Sequence, residues 1–465
     1  MNRCYWVNRK EHKAYNFNGC YVFEKILSNK NLIISKYGTN MIIDNELLRE
    51  LKSGNIGEDF LIKLIQRGFV DYENSRKITS TYNIVNPTFF LIDLTEQCNL
   101  NCNYCFRDLH GKKMSKKVAM DICKYIKKYC LVNNIKRICI QPWGGEPLLE
   151  FELIKNIQDF FDETGIQVKM VIETNATLIN EKIAKELYER KFGIGISIDG
   201  TEMMHNYQRK FYDGKGSYNK VVRGIRYLNN AGYEGKLGAI CVVTKNNYNK
   251  VNQIIEHFTE DLNLKSIKFN LVRTNQKNMQ LSEKEIKKFA TKMVNTTINM
   301  IENTDNQFYI SDIKDRAENI MLRNNSSICI SCGCMSGRKM ISFNKYGDIF
   351  PCEMSDFENE KIGNIYENED LIGIINKSIN VSELYSERKI KKCNRCPWWH
   401  YCRGGCKANK IYQYSFASDI DRHECTYNRV IYKKISELLI NKPEVAKRLI
   451  GGGKKNESDK QIRSI

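Results

Sequence analysis

Three cysteines, Cys98, Cys102 and Cys105, follow a strand-like apolar run from Thr88 to Leu94 in the spacing CxxxCxxC, and no other feature limits the fold as much. Three thiols so close in sequence converge on one loop, and the strand before it must hold that loop. Thiolates at this spacing fill three corners of a four-iron cluster and leave one iron open; the spacing also suits a structural zinc site short of one ligand. Strand-like runs recur near residues 89–95, 137–141, 168–173, 193–199, 237–244 and 266–272. Amphipathic helices separate them: Val118, Ile122, Tyr125, Ile126 and Tyr129 recur at helical spacing, and Ser282 with Glu285 forms a capping box. Strands alternating with helices predict right-handed crossovers and a parallel sheet, hence an α/β fold.

The ends of these strands carry bare or polar residues. Gly144, Gly145, Glu146 and Pro147 close the second, Asn175 follows the third, Ser197 lies at the end of the fourth, and Arg209 comes twelve residues after Ser197. Parallel barrels assemble their sites at such carboxyl ends. A second cysteine set begins at Cys334, continues through Gly347 and Cys352 to Cys393, Cys396, Cys402 and Cys406, and ends at Cys425. Its CxxC step also suits a zinc knuckle. Cys123, Cys130, Cys139 and Cys241 sit in helix or strand patterns as small buried hydrophobes, while Cys4 and Cys20 have no assignment.

The triad and the GGEP element resemble the radical SAM superfamily, and the second set resembles the seven-cysteine pattern of its SPASM extension. The resemblance implies a partial (β/α)6 TIM-like barrel, a C-terminal SPASM iron–sulfur domain and a small N-terminal winged-helix-like peptide-recognition domain. It implies three [4Fe–4S] clusters and S-adenosylmethionine (SAM), whose cleavage gives a 5′-deoxyadenosyl radical. By this likeness Cys98, Cys102 and Cys105 hold the SAM-cleaving cluster, while Gly144, Gly145, Glu146, Asn175, Ser197 and Arg209 contact SAM. Cys334, Cys352 and Cys406 hold the first auxiliary cluster, and Cys393, Cys396, Cys402 and Cys425 the second. Cys329 or Cys332 completes the first, or its site stays open for a substrate thiolate. Ala176 departs from the family, which more often has glycine there.

The 465 residues exceed one core, so several domains are expected: 1–80 for peptide recognition, 88–310 for the radical SAM core, 325–430 for SPASM, and 431–465 for a helix and disordered tail. Before Pro87 the pattern is three strands, Cys20–Ile26, Asn31–Ser35 and Met41–Asp44, then two helices, Asn45–Leu51 and Glu58–Ile65. In related maturases such an element binds the leader of a precursor peptide as an added strand. No signal peptide opens the chain and no apolar run nears the roughly 20 residues of a membrane span, so eighteen cysteines point to a reducing cytoplasm. The net charge of +19 invites nucleic acid, but the basic residues are spread along the chain and suit an acidic peptide better.

The expected function is a peptide maturase that makes thioether or carbon cross-links, with a flavodoxin or ferredoxin as reductant. One alternative is sulfatase-maturase-like oxidation of Cys or Ser to formylglycine, with Glu353 beside Cys352 as general base; that family has Asp there. An alternative of another class is a non-catalytic Fe–S regulator bound to nucleic acid.

Overall fold

The computed structural model describes residues 3–450 except 8–9, 13–14, 26–27, 36, 73–84, 108–110, 275, 277, 304–307, 323–326, 331–332, 354–359, 368, 383–392, 394 and 415–419. Cys332 and the tail from 451, expected to be disordered, lie outside the described residues.

The N-terminal part runs β1 (Arg3–Val7), β2 (Lys10–His12), β3 (Tyr15–Phe17), β4 (Cys20–Glu24), β5 (Lys30–Ser35), β6 (Asn40–Asp44), α1 (Asn45–Ser53), α2 (Glu58–Gln66) and β7 (Val70–Tyr72). Its main sheet is antiparallel in the order β1-β4-β5-β6, and β2-β3-β7 form a second, smaller one. The expected three strands and two helices are present. The strand β1 and the small sheet were not foreseen, because their short runs pair with residues distant in sequence. Asp44 starts α1 by accepting a hydrogen bond from the Leu47 amide at 2.8 Å.

Alternate residues of β4 and β5 go to two different cores. Val22 and Ile33 pack with Leu48, Phe60 and Leu64 beneath the helices, whereas Tyr21, Phe23, Leu32 and Ile34 join the main core of the molecule. Phe23 stacks on Trp398 with ring centroids 5.0 Å apart, and Asn40 Nδ2 donates to the Ile320 carbonyl at 2.5 Å. The sheet is therefore buried on both faces.

The central part alternates strands with helices, two of them between β11 and β12: β8 (Phe89–Thr95), α3 (Lys116–Val132), β9 (Arg137–Gly144), α4 (Phe151–Asp162), β10 (Gln167–Thr174), α5 (Glu181–Glu189), β11 (Gly193–Ser197), α6 (Glu202–Gln208), α7 (Tyr218–Leu228), β12 (Gly238–Val243), α8 (Val251–Glu256), β13 (Ser266–Leu271) and α9 (Glu283–Asn303). The six strands lie parallel in sequence order, as alternating strands and helices require. The capping box of α9 forms, with Glu285 accepting from the Ser282 amide at 2.7 Å and Ser282 Oγ from the Glu285 amide at 3.3 Å.

The sheet does not stop at six strands. β14 (Tyr309–Ile310) extends it beyond β13, α10 (Ser311–Met321) follows, and β15 (Met340–Phe343) adds in parallel to β8. β16 (Asp348–Phe350) and β17 (Gly363–Asn364) continue that edge antiparallel. The C-terminal part then runs α11 (Leu371–Ser382), α12 (Trp399–Cys402), α13 (Lys407–Tyr414), α14 (Arg422–Asn441) and α15 (Pro443–Arg448). α14 packs against α9 and α10, and it carries Cys425 in its first turn. Among the described residues no helix is long and apolar enough to cross a membrane.

Candidate functional site

Cys98, Cys102 and Cys105 lie on the loop after β8, and the end of α6 fixes that loop: the Asn101 amide donates to the Lys210 carbonyl at 2.7 Å and the Asn103 amide to that of Gln208 at 3.0 Å. The three cysteines line one cavity of about 640 Å³ with Gly144, Gly145, Glu146, Asn175, Ser197 and Arg209. Every residue expected to serve SAM or its cluster is thus brought to one place, at the carboxyl ends of β8 to β11. Burial pushes the Cys98 thiol up to about 11 and that of Cys102 up to about 12. Thiols in so dry a place keep their protons unless metal cations replace them, and the donor set fits an iron–sulfur cluster.

Gly144 has φ of +144°, and a Cβ there would lie 2.3 Å from the Thr95 carbonyl oxygen; one on Gly145 would lie 2.2 Å from that of Gln97. The backbone here is bare because it touches the cysteine loop, where the Gly145 amide donates to the Thr95 carbonyl at 2.8 Å and the Glu146 amide to that of Gln97 at 2.9 Å. Glu146, 1 % exposed, accepts from Thr174 Oγ1 at 2.6 Å and from the amides of Asn175 and Leu148 at 2.8 and 3.1 Å. It clamps the end of β9 to the end of β10, with about one of a carboxylate's four acceptor sites to spare. Burial raises its pKa, against those three hydrogen bonds. Asn175 in turn donates to Asn99 Oδ1 at 2.9 Å and approaches Cys98 Sγ at 3.9 Å.

Ala176, where the family has glycine, still takes the left-handed turn, at φ +57°. Gly224 of α7 lies against it: a Cβ on Gly224 would lie 2.3 Å from the Ala176 carbonyl oxygen. We expect Gly224→Ala to cost about 1–3 kcal/mol in thermal unfolding by forcing these backbones apart, and to weaken SAM binding measured by calorimetry through Asn175 next door.

Arg209 is 8 % exposed and donates from Nε to Asp199 Oδ2 at 2.9 Å. Tyr104 OH donates to the same oxygen at 2.7 Å, the Val242 amide to Oδ1 at 2.9 Å, and the guanidinium lies 5.5 Å from the Tyr104 ring centroid. Burial opposes its charge, but Asp199, Tyr104 and Cys102 overcome that and hold its pKa above the ordinary value.

A second cavity of about 1100 Å³ is lined by Cys329, Cys334, Cys352 and Cys406, with Cys402, Glu353, Lys268 and Arg273. Burial pushes Cys329 up to about 11 and Cys406 up to about 12; Arg273 draws Cys406 back. The Cys352 thiol donates to Glu353 Oε2 at 2.9 Å. Cys396, Cys402 and Cys425 lie within electrostatic reach of one another, and the Cys396 amide turns back to the Cys393 carbonyl at 3.0 Å. Cys123, Cys130 and Cys241 are buried and Cys139 half-buried, as expected of packing residues. No group of three or more His, Cys, Asp or Glu side chains among the described residues is gathered as a site for a single metal ion; the cysteines instead stand around cavities.

Asp199, Tyr104, Glu173 and Trp143 were not foreseen. Asp199 follows Ser197 by two residues, so both side chains share a face of the extended chain, and that spacing was the available signal. Glu173 and Trp143 line the SAM-side cavity. Burial raises the Glu173 pKa; Lys268 lowers it and Glu353 raises it further. Both of those residues line the second cavity, so Glu173 on the SAM side lies within electrostatic reach of it.

The radical SAM superfamily model matches residues 92–258. A cysteine-type anaerobic sulfatase-maturating enzyme of Clostridium novyi is 28% identical over 337 residues, covering 68% of this chain and 86% of its own. An uncharacterized protein of Methanocaldococcus jannaschii is 31% identical over 265 residues, 56% of this chain and 83% of its own. The radical SAM cyclopropyl synthase TigE of Paramaledivibacter caminithermalis is 23% identical over 450 residues, 90% of this chain and 89% of its own. Among solved structures, native anSMEcpe with bound AdoMet and Cp18Cys peptide superposes with a TM-score of 0.67 at 25% identity, over 78% of this chain and 100% of that one. The parallel sheet is thus the partial TIM-like barrel of this superfamily, and the non-catalytic regulator is set aside. The chain belongs to the radical SAM superfamily, as an enzyme whose named relatives include maturases.

Proposed function

We propose that this enzyme matures a ribosomally made precursor peptide by forming a thioether or a carbon cross-link. In this reading Cys98, Cys102 and Cys105 hold the SAM-cleaving [4Fe–4S] cluster. Residues 325–430 form a SPASM module in which Cys334, Cys352, Cys406 and Cys329 hold one auxiliary cluster and Cys393, Cys396, Cys402 and Cys425 another. Cys329 is preferred as the fourth ligand because it lines the cavity of the other three. When bound, the first cluster and SAM supply a radical that takes a hydrogen atom from the substrate.

The protein's own groups bind and orient. Arg209, fixed by Asp199, offers its remaining N–H groups to the SAM carboxylate, and Asn175 and Ser197 face the rest of the cofactor. Glu173 lines the SAM-side cavity within electrostatic reach of Lys268 and Glu353 of the second, which supports a peptide residue placed between SAM and the first auxiliary site.

The observation that carries the peptide reading is the N-terminal sheet. Its edge strands β1 and β6 each pair with one neighbour among the described residues, and an extended leader adds to such an edge. A flavodoxin or ferredoxin supplies electrons.

Formylglycine formation is the second reading, favoured by the carboxylate of Glu353 in the auxiliary cavity beside Cys352 and by the relatives named for that activity. Formylglycine chemistry removes a proton from the substrate heteroatom, so Glu353→Gln should then slow turnover by about 10²- to 10⁴-fold. Cross-linking predicts little change. Mass spectrometry of the product decides independently: formylglycine made from cysteine has lost sulfur, a cross-link of either kind has lost two hydrogens and kept any sulfur the substrate had, and loss of the substrate's sulfur would overturn the proposal.

A further inference from the structure

The outer cysteine set, Cys393, Cys396, Cys402 and Cys425, carries a basic rim. On α14, Arg422, Cys425 and Arg429 stand at positions i, i+3 and i+7 and therefore share one helix face. Both arginines are exposed while Cys425 is half-buried, and exposed Arg395 adjoins Cys396 in the chain. Burial pushes the Cys396 thiol up to about 12, and Arg429 is close enough to draw it back. The described acids nearest these arginines on α14 are engaged by other groups. Glu424 accepts from Arg316 Nη2 at 2.8 Å, and Asp421 accepts from Asn409 Nδ2 at 2.6 Å while capping α14. Glu283, bonded to Thr426 Oγ1 at 3.2 Å, is the acid on the flank.

Resting on the cluster reading above, we propose that Arg395, Arg422 and Arg429 form the docking surface for a small acidic electron-carrier protein. The reduced carrier gives up one electron and the enzyme gains it through the outer cysteine set. Three arginines beside cysteines that would hold a redox cluster bring such a partner's acidic face toward it, and attraction between opposite surfaces raises the encounter rate. A guanidinium rim also selects for carboxylates, which it pairs in a fixed planar fork.

The test titrates the full-length, iron-loaded enzyme with a flavodoxin and measures affinity at several salt concentrations. The variant R395E/R422E/R429E should bind on the order of 10- to 100-fold more weakly, with a flatter salt dependence. Arg429→Gln alone should give an intermediate loss. A control variant, K210E/K215E, at two exposed lysines after α6 should bind like the parent. Iron content and dithionite-driven SAM cleavage should be unchanged in the arginine variants, which shows that they fold. Unchanged flavodoxin affinity in the triple variant, or an equal loss in the control, overturns the proposal. So does displacement of flavodoxin by a short DNA duplex whose binding is abolished by the same three substitutions, since the rim would then be a nucleic-acid surface. Iron content unaffected by replacing Cys396 and Cys425 would instead overturn the cluster reading itself, and the two failures are told apart by iron analysis alone.

Discussion

Replacing Cys98, Cys102 and Cys105 together with alanine should abolish formation of 5′-deoxyadenosine while leaving about two thirds of the iron in place, if all three clusters are of the four-iron type. The physical basis is separation. The triad lines its own cavity at the ends of β8 to β11, whereas Cys329, Cys334, Cys352, Cys402 and Cys406 line a different one, Cys393 and Cys396 lie in the turn before α12, and Cys425 lies on α14. Among the described residues no other thiol lines the triad's cavity to substitute for the lost ones. The loop itself should survive, because backbone bonds to Gln208 and Lys210 hold it and do not depend on sulfur. Iron and sulfide analysis, with chromatographic detection of deoxyadenosine, checks both halves. Undiminished cleavage would mean that this cavity is not where SAM reacts.

Asp199→Ala should be the most damaging single substitution in the barrel, at about 3–5 kcal/mol, because it leaves the Arg209 charge buried without its partner. It also strands the Tyr104 hydroxyl and the Val242 amide, each of which donates to that carboxylate. SAM affinity should fall with it, since Arg209 would no longer be held toward the cavity. The double variant D199A/R209M should unfold at a higher temperature than D199A alone, because the uncompensated charge is gone, yet bind SAM no better. Calorimetry for SAM beside thermal unfolding separates the two effects. A single variant as stable as the parent would show that Asp199 does not carry the arginine.

The barrel was legible because its signals are local. Apolar runs such as 237–244 and the capping pair Ser282 and Glu285 are complete within a few residues, and the strands and helix formed where they were expected. The SAM-side residues were legible for a related reason: in a parallel sheet the end of each strand is a predictable place, so Cys98, Glu146, Asn175 and Ser197 had to meet. What sequence could not show is who holds whom. Asp199 beneath Arg209, and Glu146 tied up by Thr174 and Asn175, are pairings made by neighbouring strands, and nothing in a linear pattern announces them. The addition of β15 to β8 was hidden for the same reason, as its partner lies some 250 residues away. Glu173 was passed over because a carboxylate near a strand end looks like a solvated one until the cavity around it is known.

The two-faced N-terminal sheet has a consequence for biosynthesis. The Tyr401 hydroxyl reaches the Gly38 carbonyl at 2.5 Å across 363 positions of sequence, and Trp398 covers Phe23. On a ribosome that adds about 5–20 residues per second, the strip of Tyr21, Phe23, Leu32 and Ile34 waits tens of seconds for its cover. During that wait it is an adhesive, partly formed sheet, and the cysteines that follow Cys393 have not yet been translated. The N-terminal sheet and the cysteine-bearing C-terminus therefore mature in one late event, and a cell short of chaperone capacity should lose both together rather than accumulate a chain with only one of them folded.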